Sequence, residues 1–130
     1  MWDINIIQTI KTAALTLIFR QLIIYVYDRI QGRIKYNYII GNYSHENGTV
    51  KIIYIHKTKF KTIGTENNGR VWSGEFSLDG NIGKGNYKWK DKDDWGFHEL
   101  YVSKNQINGT YINKSHATFN QGTIIWSKNT

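Results

Sequence analysis

The 130-residue chain contains no cysteine and no proline. Without cysteine there are no disulfides and no thiolate zinc sites. Small extracellular domains usually carry disulfides, so the expectation is an intracellular domain. Glycine is absent before Gln31, and all twelve glycines follow it. Metal-ligand spacing is missing too: His45, His56, His98 and His116 follow no zinc pattern. The acidic turn Asp91–Asp94 is interleaved with Lys90 and Lys92 and lacks the glutamate that closes a calcium loop. It reads as a solvated turn. "GKGNYK" at Gly83–Lys88 lacks the Gly-Lys-Ser/Thr ending of a phosphate loop and precedes no helix. Glu75 and Glu99 are strand acids with nothing in the sequence to pair them. No catalytic constellation emerges, no cofactor is implied, and the chain is not read as an enzyme.

What is present divides near residue 31. Residues 1–31 hold an apolar run, "TAALTLIFRQLIIYVYDR" from Thr12 to Arg29. Asp3 to Tyr27 spans about 36 Å as a helix, against about 30 Å for a bilayer core. Apolar residues lie on every face, unlike the half-polar circumference of a soluble amphipathic helix. The eight strongly apolar residues between Thr12 and Tyr27 contribute about −2.5 to −5 kcal/mol to insertion, and a central arginine costs about +2.5 to +3.5. Arg20 therefore makes a lone span marginal and an assembling span favourable. The alternative is a helix packed on the barrel or on a partner helix. Arg29, Arg33 and Lys35 flank its C-terminal end and only Asp3 flanks its start. The remainder of the chain should then face the cytoplasm. A signal peptide fits poorly, because the charged start and the small-residue cleavage site are missing.

Residues 36–130 read as short strands separated by turns. Eight are expected: Tyr36–Ser44, Thr49–His56, Lys59–Thr65, Arg70–Ser77, Asn81–Trp89, Trp95–Ser103, Gln106–Asn113 and Phe119–Lys128. "ENG", "ENNG" and "LDGN" supply the positive φ of tight hairpins. Consecutive hairpins of similar length predict a mainly β fold. Its simplest form is a small eight-stranded antiparallel up-and-down barrel preceded by one N-terminal helix. An open sandwich is the alternative. Glycines recur two residues before aromatics, as in Gly41/Tyr43, Gly74/Phe76, Gly85/Tyr87 and Gly109/Tyr111. Glycine in a small barrel permits the bends that curl its strands.

The chain carries a net charge of +7, and from Gln31 onward fourteen basic residues oppose eight acidic ones, leaving +6. A basic surface favours polyanions. Bases stack on aromatic rings and phosphates pair with Arg or Lys. Inward aromatics and nearby cations give a candidate ligand set of Arg70, Trp72, Tyr87, Lys88, His98 and Tyr111. For any single aromatic, core packing is the competing role. Three functions follow from different premises. A nucleotide-sized anion could occupy the barrel or its mouth. A lipocalin-like barrel would instead hold a fatty acid or another apolar molecule. The helix and barrel could also build assemblies with no ligand.

The cadence "GNY…NGTVKIIYIH…VWSGEFSLDGNIGKGNY…WGFHELYVSKNQINGTYIN…NQGTIIW" behind an apolar segment resembles the transmembrane β-barrel effectors of bacterial cyclic-oligonucleotide anti-phage (CBASS) systems. The resemblance covers nearly the whole chain. It implies a barrel that binds a cyclic di- or trinucleotide made by a companion nucleotidyltransferase. Binding would drive homo-oligomerisation, and the membrane segments, in contact with lipid, would then disrupt the inner membrane. The family typically has two membrane helices before the barrel, whereas this sequence shows one. No family motif transfers ligand residues individually.

Overall fold

A computed structural model describes residues 4–91, 93–115 and 117–129. Asp3, Lys92 and His116, weighed above, lie outside the described residues. One helix, α1 (Ile4–Lys35), precedes eight strands. These are β1 (Gly41–His45), β2 (Gly48–His56), β3 (Lys59–Glu66), β4 (Val71–Asp79), β5 (Ile82–Trp89), β6 (Trp95–Val102), β7 (Gln106–Ser115) and β8 (Thr118–Lys128). Each strand pairs antiparallel with the next, and β8 returns to β1, closing the barrel. The expected mainly β, up-and-down architecture is therefore the observed one.

Side-chain alternation explains the closure. Along β2, Val50, Ile52 and Tyr54 point inward between outward neighbours, and β4 does the same with Trp72, Phe76 and Leu78. The glycines fit this packing, but not through their own strand. The space beside Gly64 is filled by the Trp72 ring, beside Gly83 by Phe76, beside Gly96 by Tyr87 and beside Gly122 by Tyr111. Three of these pairs, Gly64↔Trp72, Tyr87↔Gly96 and Tyr111↔Gly122, are direct cross-strand partners. A glycine on one strand thus houses the ring of its neighbour.

The first expected strand is shorter than the pattern suggested. Residues 36–40 form a turn instead, with the Ile39 and Ile40 amides both donating to the Tyr36 carbonyl. This turn plugs the lower end of the barrel. Ile39 is fully buried, and Tyr36 packs edge-on against Phe60 at 5.3 Å and beside Tyr54 at 6.0 Å. Tyr43 donates its hydroxyl to the Ile39 carbonyl at 2.6 Å. The Lys128 ammonium donates to the Tyr38 carbonyl at 2.9 Å, tying the last strand to the plug. An alternating sequence satisfies a helical turn as well as a strand here, because the anchors Tyr36 and Ile39 are three residues apart.

Helix α1 buries none of its residues against the barrel. It meets the barrel near its last turn, where the Tyr54 ring occupies the space beside Gly32. Its isoleucines, leucines and Phe19 are exposed on all sides. The helix is long enough and apolar enough to cross a membrane. A helix apolar all round needs a nonpolar surrounding, and the barrel does not supply one.

Candidate functional site

The end of the barrel opposite the helix is open. A cavity of about 760 Å³ lies there, within the range of small-molecule sites, about 300–1,000 Å³. Barrel closure explains its shape. β1 pairs with β8 only at Tyr43↔Lys128 and Ser44↔Ser127. Above Ser44 the two strands have no paired residues, and the cavity continues through this gap between the β1–β2 turn and β8.

Aromatic rings line the wall: Trp72, Tyr87, Trp89, Tyr111 and Trp126. Trp72 and Trp126 stack at 5.9 Å, and Trp72 and Tyr87 meet at 5.5 Å. His98 stacks on Tyr87 at 5.5 Å and is only 4 % exposed. Its imidazole pKa falls from the usual 6.5 to about 4, chiefly because burial disfavours the charged ring. The Glu75 backbone carbonyl, which accepts a hydrogen bond from the ring, opposes this only partly. At neutral pH His98 is therefore an uncharged polar group, not the cation its residue type suggested. Its Nε2 is buried and has no partner among the described residues.

Asn113 completes the polar lining. Its Oδ1 accepts from the Tyr87 hydroxyl at 3.2 Å and from the Trp89 indole N–H at 3.3 Å. An indole nitrogen only donates, so Asn113 must turn its oxygen towards it. The amide Nδ2 then remains as a donor. At the mouth, His45 Nδ1 accepts from the Asn47 amide at 3.2 Å, and its buried Nε2 has no partner among the described residues.

Of the residues expected to bind ligand, Trp72, Tyr87, His98 and Tyr111 line the cavity. Arg70 stands on the rim outside the lining. Its guanidinium lies over the Trp89 ring at 4.2 Å, and its Nε is 3.4 Å from Asp91. Lys88 is a correction. It is exposed on the outer wall, paired with Ser73 and Trp95. Tyr87 already points inward, and adjacent strand residues point to opposite faces. Period two also exposes the omissions. Asn113 shares the parity of Gly109 and Tyr111, and Trp126 that of Ile124. Among the described residues no lysine or arginine lines the cavity, whereas Glu46 and Glu66 do. The interior therefore suits a neutral planar group better than a buried anion. Comparison with protein-family models, curated proteins and solved structures gave no significant match.

Proposed function

We propose that the chain is a membrane-anchored sensor whose barrel takes a base of a cyclic oligonucleotide into the aromatic cavity. The observation that carries this reading is the cavity wall. It combines five aromatic rings with an amide and a neutral imidazole. A base offers a π-face to such rings, and stacking is worth about 1–3 kcal/mol per base. The phosphates would stay at the mouth, where the Arg70 guanidinium lies over the Trp89 ring. A fatty acid fits less well. An alkyl chain would leave His98 and Asn113 facing apolar surface without partners, at about 1–3 kcal/mol each.

The helix anchors the sensor. Arg29, Arg33 and Lys35 at its barrel-proximal end favour a cytoplasmic barrel at the bacterial inner membrane. Ring contacts run from the cavity to the helix base: His98 to Phe76 at 6.4 Å, Phe76 to Phe60 at 5.0 Å, Phe60 to Tyr36 at 5.3 Å. A ligand pressing on His98 would bear on the plug beneath α1. Homo-oligomerisation would bring several helices together, offering Arg20 polar company that a lone span lacks. Membrane disruption would follow from that assembly. This matches the anti-phage effector role implied by the sequence resemblance.

The first test is thermal unfolding of the full chain in detergent with cyclic di- and trinucleotides and with fatty acids. A ligand at a hundred times its Kd should stabilise the fold by about 2.7 kcal/mol. Stabilisation by a fatty acid alone would replace this reading with the carrier.

A further inference from the structure

The cavity does more than offer rings to stack on. Its two deeper polar groups are fixed in opposite senses by their protein partners. His98 gives its ring N–H to the Glu75 carbonyl, so the unpartnered Nε2 carries a lone pair and only accepts. Asn113 commits Oδ1 to Tyr87 and Trp89, so its Nδ2 only donates.

Strand register sets their order in depth. His98 is paired with Tyr111, and Asn113 lies two residues further along β7, opposite Gly96. β7 runs from the plugged end towards the open end, so Asn113 is nearer the mouth and His98 is deeper. Both belong to adjacent strands, on the inward face. Gly85 makes the deep position available. It pairs with His98, and the Glu75 carbonyl of the strand beyond occupies the space that a side chain there would fill.

We propose that His98 and Asn113 form a reading pair that selects an amino-bearing base, adenine or cytosine, over a keto-bearing one. This rests on the nucleotide-sensor reading and specifies it. The exocyclic amine enters deepest and donates to His98 Nε2. The ring nitrogen beside it accepts from Asn113 Nδ2. A keto oxygen at the deep position would meet a lone pair on His98, and a ring N–H would meet a donor on Asn113. Both contacts would be lost, leaving the buried His98 Nε2 and the half-buried Asn113 amide unpaired. Discrimination by unpaired buried groups reaches well beyond what shape alone gives.

The test uses the full chain in detergent and tryptophan fluorescence, since Trp72, Trp89 and Trp126 line the cavity. Cyclic diadenylate is compared with cyclic di-inosinate, which replaces each amine by a keto oxygen, and cyclic dicytidylate with cyclic diuridylate. The expected result is at least a tenfold tighter Kd for the amino member of the pair that binds. Asn113→Asp keeps an oxygen for Tyr87 and Trp89 but removes the donor, and should erase that preference. Dimethylation of the exocyclic amine tests the His98 contact on unaltered protein and should weaken binding at least tenfold. Equal affinity for amino and keto members, or tighter binding of the keto members, overturns the reading pair while leaving the sensor standing. No binding by any of the four overturns it at its foundation, and trinucleotides then decide whether the sensor reading fails as well.

Discussion

Acidification from pH 7 to pH 4 is expected to remove about 3 kcal/mol of stability through His98 alone. Each tenfold change in proton affinity is worth about 1.4 kcal/mol, and the imidazole pKa drops from 6.5 in the unfolded chain to about 4 in the fold. The unfolded chain therefore binds the extra proton first as pH falls. The contribution is complete above pH 6.5 and declines through the interval down to about pH 4. The cause is burial against Phe76, Tyr87 and Trp126, where an imidazolium would lose its hydration. Tyr87 is the titratable ring stacked upon it, and burial pushes that phenol upward, so it stays neutral throughout this range. Urea unfolding of the wild type and of His98→Leu, measured from pH 7 to pH 4, isolates the effect. The variant's stability should fall by about 3 kcal/mol less over that interval. Parallel curves would mean that His98 titrates in the fold much as it does in the unfolded chain.

Gly85→Ala should be among the most damaging single-atom additions to the barrel. A methyl group there would overlap the Glu75 carbonyl oxygen on the paired strand and press on the Phe76 Cα. Backbone atoms cannot rotate aside, so β4 and β5 would have to separate where Phe76 and Gly85 pair. Overpacking against backbone should cost about 3 kcal/mol, the upper end of the usual range, a fall in Tm on the order of 10–20 °C. Gly80→Ala is the informative comparison. Gly80 sits in the β4–β5 turn at a φ of 63°, with nothing within 4 Å of an added Cβ. Its penalty is the left-handed backbone alone, roughly 1–2 kcal/mol. Equal thermal losses in the two variants would show that close strand approach is not what Gly85 provides.

The strands were legible because hairpin signals and alternation are local. Asn-Gly and Asp-Gly set the turns, and inward parity follows from counting by two. That same count would have removed Lys88 and added Asn113 and Trp126. Residues 36–40 read as strand from the sequence because Tyr36 meets the barrel floor through Tyr54 of β2 and Phe60 of β3, contacts that no local pattern contains. The glycine–aromatic motif was visible, but its meaning lay across strands: Tyr111 is housed by Gly122 and Tyr87 by Gly96. The neutrality of His98 was invisible for a similar reason. Its cause is burial against Phe76, Tyr87 and Trp126, rings that three other strands supply. Sequence charge also pointed to an anion in the barrel or at its mouth, whereas among the described residues no lysine or arginine lines the cavity.

The central claim is that this wall receives a base. Tryptophan fluorescence of the full chain, titrated with cyclic oligonucleotides in detergent, tests it most directly. The expected result is a saturable change that disappears in Trp126→Leu, which removes one ring of the stacked Trp72–Trp126 pair while leaving the rim and Arg70 in place. Fluorescence unmoved by any cyclic oligonucleotide, or a response that survives unchanged in Trp126→Leu, would contradict it.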